Sequence, residues 1–148
     1  MPSVIEEATV TSAMDRLAAM LERSTGMPSL LGLTIETLEP GRVVFGLRTR
    51  PEFANPLGTL HGGVCSTLLD SAMGCAVHAS LPEGSGFTTL ELKVNFVRPV
   101  RLDGVRLRGE GTTVHMGGRI ATTEGRVTDD QGRLVAHGTS TCMVLGPA

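Results

Sequence analysis

The chain has 148 residues, of which 41% are hydrophobic and 19% charged, with a formal net charge of −2. That length allows one domain with a sizeable core. The charge balance and the scarcity of aromatic residues (four Phe, no Trp or Tyr) argue against nucleic acid as a partner, which needs basic surfaces and stacking platforms. No apolar run approaches the ~20 residues of a membrane span, and the acidic start MPSVIEEATV does not resemble a signal peptide. We therefore expect a cytoplasmic protein with no membrane partner.

Cysteine and histidine spacing indicates neither a redox pair nor a metal site. The three cysteines form no C-x-x-C motif and predict buried thiols in a reducing compartment; they are Cys65, Cys75 and Cys142. Three histidines lack the spacing of metal ligands, namely His78, His115 and His137. The sequence also has no G-x-S-x-G elbow, which argues against a serine hydrolase.

The N-terminal part of the chain reads as a helix followed by a β-hairpin. Apolar residues recur at helical spacing over residues 6–23, and a Gly-Met-Pro run then ends that helix. From Leu30 onward alternating apolar residues predict a strand, and residues 43–49 predict its hairpin partner. We predict an N-terminal helical extension, residues 1–28, and a main domain, residues 29–148.

The rest of the chain predicts one buried helix and four more strands. Residues 61–80 carry almost no charge, and a helix that is apolar on nearly every side belongs inside a fold. The strands that follow are predicted at residues 88–97, 105–114, 119–128 and 134–145. In the first of them apolar residues alternate with polar ones from Leu90 onward. A long apolar helix lying against one antiparallel sheet is an α+β arrangement.

The start of the buried helix carries the densest functional signal. Gly62 and Gly63 follow His61 and open the helix, so their backbone N–H groups lack intrahelical acceptors and have no side chain to shield them. The helix dipole adds partial positive charge at this end. Such a terminus suits an anion, or a carbonyl oxygen that becomes an oxyanion.

Asp70 lies in the middle of the same helix, where a carboxylate is costly unless it is paired or used. Taken alone, it could serve a structural hydrogen bond or catalysis, and the neighbouring helix start favours catalysis. Gly62 and Asp70 are separated by about 12 Å along one helix, too far to reach one reacting carbon together. We therefore predict a dimer in which Gly62 of one subunit faces Asp70 of the other.

The pattern N-x-x-G-T-x-H-G-G-x-x-x-x-L-x-D at residues 55–70, with F-x-R-P at 96–99, resembles the hotdog-fold acyl-CoA thioesterases. The resemblance is to the phenylacetate-degradation (PaaI-like) branch of the 4-hydroxybenzoyl-CoA thioesterase superfamily, and it extends from about residue 30 to residue 145. It implies a sheet wrapped around the buried helix. It also implies dimers that join their sheets edge to edge and then pair into homotetramers.

The resemblance also implies roles for five residues. Asp70 would be the general base or the nucleophile, and the N–H of Gly62 would polarise the thioester carbonyl. His61 would orient the loop before the helix. Asn55 matches the position that contacts the thioester region or the attacking water, and Thr89 matches a Ser or Thr that orients this water.

Further positions concern substrate binding. Gly63 adds a second amide at the helix start. The stretch formed by Gly117, Gly118 and Arg119 could be only a β-turn. The resemblance implies instead that it lies along the pantetheine channel, where Arg119 would meet a phosphate of coenzyme A. Other arginines could serve instead, namely Arg98, Arg101 and Arg133. Four apolar residues are candidate linings of the acyl pocket: Leu57, Leu60, Leu69 and Met73. Gly74 departs from relatives that carry a hydroxyl residue at this position.

Together these features predict hydrolysis of an acyl-CoA thioester to free acid and coenzyme A, with no cofactor, because coenzyme A is part of the substrate. An acyl-thioester dehydratase or hydratase is one alternative, although the spacing of His61 and Asp70 does not match that class. A non-catalytic acyl-CoA-binding module is another. Phenylacetyl, hydroxyaryl and medium-chain acyl groups all remain open.

Overall fold

The computed structural model describes residues 12–147. Its helices are α1 (Ala13–Glu22), α2 (Met27–Leu31) and α3 (Gly62–His78), with a single 3-10 turn at Pro51–Phe53. Its strands are β1 (Thr34–Glu39), β2 (Arg42–Arg48), β3 (Gly86–Phe96), β4 (Arg106–Met116), β5 (Ile120–Thr128) and β6 (Leu134–Leu145). The six strands form one sheet in the order β1-β2-β4-β5-β6-β3, and all neighbours are antiparallel. The predicted α+β class and hotdog arrangement are confirmed.

The buried helix α3 rests on glycines in the central strands. A Cβ placed on Gly111 would lie 2.4 Å from backbone atoms of Ala72 and Met73. A Cβ on Gly109 would lie 2.4 Å from Leu68. The missing side chains therefore let the helix approach the sheet closely, and its sheet-facing residues are fully buried. This close approach fixes the position of the whole helix, including the face that carries Asp70.

Strand β3 is an edge strand with an irregularity near its start. Thr89 pairs with Cys142 and Glu91 with Thr141, so Leu90 is an extra residue, a β-bulge. Leu90 is 52% exposed, whereas Leu92 packs against the core. The simple alternation predicted from Leu90 onward is therefore wrong at its first residue. The bulge turns Thr89, rather than Leu90, toward α3.

Helix α1 begins directly after Ser12, whose side chain caps it. Ser12 accepts a hydrogen bond from the backbone N–H of Asp15, and the Asp15 carboxylate accepts from Ser12 in return, which completes a capping box at the start of α1. The predicted helix over residues 6–23 is confirmed from Ala13 to Glu22, and residues 6–11 lie outside the described part of the chain. The two predicted domain units stay a prediction.

The strand predicted from Leu30 is wrong at its start. Leu30 and Leu31 belong to α2, which has a proline in its first turn and ends on Gly32 with φ +71°. The strand begins only at Thr34. A five-residue helix is too short to show helical periodicity in a sequence.

All three cysteines are buried, unpaired thiols, as predicted. Within residues 12–147, no helix has the length and apolarity that a bilayer crossing requires.

Candidate active site

The first turn of α3 leaves one backbone amide without an acceptor. His61 is the N-cap, and its Nδ1 accepts a hydrogen bond of 2.8 Å from the N–H of Gly63. The N–H of Val64 donates to the carbonyl of His61. Among the described residues nothing accepts from the N–H of Gly62. The N–H of Gly62 therefore remains available to a substrate, whereas the N–H of Gly63 is already bonded to the capping side chain of His61.

His61 also ties the helix start to the preceding turn, because its N–H donates to the carbonyl of Phe53 at 2.8 Å. The contacts to Gly63 and Phe53 join His61 to both the helix start and the preceding turn, and its role in the reaction stays a prediction.

Asn55 organises the loop before α3. Its Oδ1 accepts from the N–H groups of Leu57 and Thr59 at 2.9 and 3.1 Å, and its Nδ2 donates to Thr59 Oγ1 at 2.9 Å. One N–H of Nδ2 is left over for water or a thioester. The contacts explain why an asparagine suits this turn, and the predicted contact with substrate stays a prediction.

Asp70 and Thr89 are in direct contact. Thr89 Oγ1 donates a hydrogen bond of 2.8 Å to Asp70 Oδ1, while Oδ2 has no partner among residues 12–147. Asp70 is half-buried, and no cation within the described chain pairs with it. A carboxylate with one oxygen held and the other free can accept a proton or attack a carbonyl carbon.

Two buried thiols lie near this carboxylate. Burial, together with the charge of Asp70, raises the pKa of the Cys75 thiol to about 12. Burial also raises the pKa of Cys142, against the opposing effect of hydrogen bonds with Ser140 and Thr89. Both thiols are therefore protonated at neutral pH, and neither is a nucleophile there.

Two aromatic rings of β3 lie on glycines of α3. A Cβ on Gly62 would be 2.9 Å from the ring of Phe96, and a Cβ on Gly74 would be 2.6 Å from the ring of Phe87. The Phe87 ring fills the space that a side chain at position 74 would occupy. Sequence reasoning missed both contacts, although Phe96 begins the F-x-R-P motif.

The structure does not bring Gly62 and Asp70 together within one chain. Phe96 lies beside Gly62, and Thr89 lies beside Asp70, so α3 and β3 run antiparallel. We call these two contacts the Gly62–Phe96 level and the Asp70–Thr89 level, and they are well separated along β3. Gly62 and Asp70 both lie on one continuous helix, whose rise separates them by about 12 Å. Gly62 and Asp70 of one chain therefore do not converge on one reacting carbon, and a site shared between two subunits stays a prediction.

The turn of Gly117, Gly118 and Arg119 lies at the other end of α3. It lines an open cleft of about 680 Å³ together with residues such as Leu81 and Val144. Arg119 is exposed in this cleft, well away from Gly62 of the same chain.

The other candidate residues have defined surroundings. Arg133 pairs with Asp129 at 2.8 Å and Arg101 with Asp103 at 2.5 Å, while Arg98 Nε donates to the carbonyl of Leu134 at 3.4 Å. Among the candidate acyl-pocket linings, Leu69 and Met73 are fully buried and Leu60 is nearly so. Leu57, in contrast, is 90% exposed. Among residues 12–147, no group of three or more His, Cys, Asp or Glu side chains is placed to hold a metal ion.

Comparison with known proteins gives a consistent result. The profile of the thioesterase superfamily matches residues 57–136. Human acyl-coenzyme A thioesterase 13 is 24% identical over 135 residues, which is 90% of this chain and 95% of that protein.

Two solved structures share the fold and more of the sequence. A phenylacetic acid degradation-related protein from Ralstonia eutropha has a TM-score of 0.74 and 30% identity, covering 85% of this chain and 97% of its own. A hypothetical thioesterase protein with coenzyme A, from Streptococcus pneumoniae, has a TM-score of 0.72 and 29% identity, covering 78% and 87%. Because the profile of the thioesterase superfamily matches more than half of its residues, this chain belongs to that superfamily and is a hotdog-fold thioesterase.

Proposed function

We propose that the protein hydrolyses an acyl-CoA thioester to the free acid and coenzyme A, with Asp70 as general base or nucleophile. The observation that carries the proposal is the hydrogen bond of 2.8 Å from Thr89 to Asp70 Oδ1, which holds the carboxylate and leaves Oδ2 free. The unpaired N–H of Gly62 supplies the complementary oxyanion donor.

Coenzyme A as the carrier is supported by two relatives. Human acyl-coenzyme A thioesterase 13 is similar over nearly the whole chain, and the Streptococcus pneumoniae structure contains coenzyme A. The similarity to a phenylacetic acid degradation-related protein favours an aryl-acetyl group among the candidate acyl groups. We also propose that the protein is cytoplasmic, because three buried free thiols suit a reducing compartment.

In the general-base route Asp70 Oδ2 removes a proton from water, and the resulting hydroxide attacks the carbonyl carbon. The carbonyl oxygen takes up negative charge, which the N–H of Gly62 and the helix dipole stabilise. The carbon–sulfur bond then breaks, the electron pair leaves with sulfur, and the proton held by Asp70 neutralises the thiolate. Asn55 and Thr89 would place the water.

In the covalent route Asp70 Oδ2 attacks the carbonyl carbon itself and expels the thiolate, which leaves a mixed anhydride. Water then cleaves the anhydride and restores the carboxylate. A single turnover in ¹⁸O-water reveals a covalent route in which water attacks the Asp70 carbonyl, because that cleavage would leave label in the protein. Label found only in the product acid is expected both from direct attack of water on the thioester and from cleavage of the anhydride at its acyl carbon. Trapping of the anhydride with hydroxylamine separates these two.

The complete site requires a second subunit, and the outer edge of β3 offers the contact. Among residues 12–147, strand β3 is hydrogen-bonded to another strand, β6, on one side only. Leu90 and Phe96 of β3, and Val97 directly after it, are apolar and exposed. A long edge of this kind pairs readily with another strand. We propose that two copies join their β3 strands antiparallel, and that two such dimers form a homotetramer.

The levels along β3 fit this pairing. The Gly62–Phe96 level and the Asp70–Thr89 level lie on either side of a midpoint near Leu92 and Lys93. A two-fold axis close to this midpoint would place Gly62 of each chain opposite Asp70 of the partner subunit. Each dimer would then hold two complete sites.

The test is a hydrolysis screen over acyl-CoA thioesters with a thiol-detecting reagent, applied to wild type, Asp70→Asn and the exposed control Asp130→Asn. We expect Asp70→Asn to lower kcat by about 10²–10⁴-fold and the control to leave it unchanged. Near-normal kcat in folded Asp70→Asn would contradict the assignment. Binding of the thioesters without turnover would favour the binding-module alternative, and an enoyl product would favour a dehydratase.

Sharing of the site is tested by mixing subunits. Asp70→Asn chains mixed with Gly62→Val chains should regain activity, because each heterodimer then has one intact site. If subunits exchange, shown by a mass tag, and activity does not return, the sites are not shared.

A further inference from the structure

Cys142 lies in β6 directly opposite Thr89 in β3. Side chains of directly opposed residues in an antiparallel pair lie on the same face of the sheet. Cys142 is fully buried, so its thiol is enclosed beside the hydroxyl that holds Asp70. The proposed mechanism gives this thiol no role.

The hydroxyl of Thr89 has one proton and two acceptor sites. Its proton is committed to Asp70 Oδ1 at 2.8 Å, so any further partner of Oγ1 within the protein must be a donor. The thiol of Cys142 can be that donor, because it is protonated at neutral pH. On its other side, Sγ lies 3.8 Å from Ser140 Oγ.

We propose that Cys142 is a positioning residue for the hydrolysis, donating its S–H to Thr89 Oγ1 and so fixing the Thr89 proton toward Asp70. The proposal rests on the proposed function of Asp70. A donor to Oγ1 strengthens the hydrogen bond that the same hydroxyl makes, because linked hydrogen bonds polarise one another. It also removes the orientation in which the hydroxyl proton points away from the carboxylate.

The contact acts on geometry rather than on substrate binding. With Oδ1 held by Thr89, the free Oδ2 keeps one orientation toward the reacting carbon. Loss of the S–H donor would let the hydroxyl rotate away from Asp70, and the carboxylate would be correctly held for a smaller fraction of the time. The effect should therefore appear in kcat and leave KM unchanged.

The test is a double-mutant cycle on kcat. Cys142→Ala removes the donor and Cys142→Ser keeps one, and each is made with Thr89 intact and with Thr89→Val. We expect Cys142→Ala to lower kcat about three- to tenfold, Cys142→Ser to stay within about twofold of wild type, and neither to matter in the Thr89→Val background. Cys65→Ala, which also empties the space of a buried thiol on α3, is the matched control and should leave kcat unchanged.

An equal loss of kcat in both backgrounds would show that Cys142 only fills space, and would overturn the proposal. So would an unchanged kcat in folded Cys142→Ala, or a loss in Cys142→Ser as large as in Cys142→Ala. If Cys142→Ala does not fold, the S–H infrared band of Cys142 supplies the test, since it should shift to higher frequency in Thr89→Val and stay unshifted only if the contact is absent in wild type. Failure of the proposed function is recognised separately, by an active Asp70→Asn.

Discussion

The two faces of α3 solve the same packing problem in opposite ways. Toward the centre of the sheet the helix supplies the side chains and the strands supply the glycines, as where Ala72 and Met73 rest on Gly111. Toward β3 the helix supplies the glycines and the strand supplies the rings, as where Phe96 lies on Gly62 and Phe87 on Gly74. We call the side of α3 that packs on the central strands the sheet face, and the side that packs on the edge strand β3 the β3 face.

We interpret the tight packing on the sheet face as serving stability, and that on the β3 face as leaving the carboxylate of Asp70 accessible. On the sheet face a Cβ on Gly111 would meet the backbone of α3, and the side chains of the helix are fully buried. On the β3 face the contacts are to ring atoms, and Asp70 stays half-buried between the two glycines. A substitution on the sheet face should therefore affect folding, and one on the β3 face should affect catalysis.

The largest effect is expected on the sheet face. Gly111→Ala places a Cβ against the backbone of α3, which cannot move aside without the whole helix, and should destabilise the protein by about 3 kcal/mol or more. The urea midpoint measures this. Gly86→Ala, where a Cβ meets nothing within 4 Å, is the control and should change the midpoint little. Equal midpoints for the two variants would contradict the comparison.

On the β3 face, Gly62→Ala should lower kcat by about 10²-fold, because a Cβ crowds the carbonyl that the amide must reach. Its thermal midpoint should fall only slightly, since the Cβ meets the half-exposed ring of Phe96, which can move. Steady-state kinetics and thermal unfolding are measured on the same sample. A large loss of stability with kcat unchanged would show that the two faces do not differ in this way.

At the end of the helix, Arg119→Ala should raise KM up to about tenfold with little change in kcat, because a phosphate contact is remote from the reacting carbon. The effect should vanish with a pantetheine thioester, which lacks the nucleotide. Identical behaviour with both substrates would mark Arg119 as a residue of the turn only.

The smallest effect concerns His78, whose ring meets Phe87 edge-on at the C-terminal end of the β3 face. Burial lowers the pKa of His78, and the charge of Arg16 lowers it further. The unfolded chain therefore takes up a proton near its ordinary pKa of about 6.5 while the folded protein resists, so stability falls as pH drops below that value. Urea midpoints at several pH values should show a weaker fall in His78→Gln. An unchanged pH dependence would exclude His78 as its source.

Much of this architecture follows from simple periodicity. The run of small apolar residues after His61 predicted the buried helix, and alternation predicted all six strands to within a few residues. Periodicity failed where a local exception decides the outcome. Helix α2 spans only five residues, and the bulge at Leu90 reverses which residues face inward.

The candidate site was predicted from the chemistry of its residues and from a family resemblance, and the two contributed differently. The amide of Gly62 and the carboxylate of Asp70 follow from glycines at a helix start and an acid in an apolar helix. Thr89 came from the resemblance alone, because plain alternation would have turned it away from Asp70. Phe87 and Cys142 depend on contacts between distant parts of the chain, which no local pattern records.

The bulge at Leu90 has a consequence for chain length. Strand β3 has one residue, Leu90, that pairs with no residue of β6. In a homologue that lacks this residue, plain alternation would turn the residue equivalent to Thr89 toward the carboxylate. A homologue of equal length without the bulge would present Leu90 instead. Insertions and deletions at this point therefore change the proposed active site, and an alignment that places its gap one position away pairs the wrong side chain with Asp70.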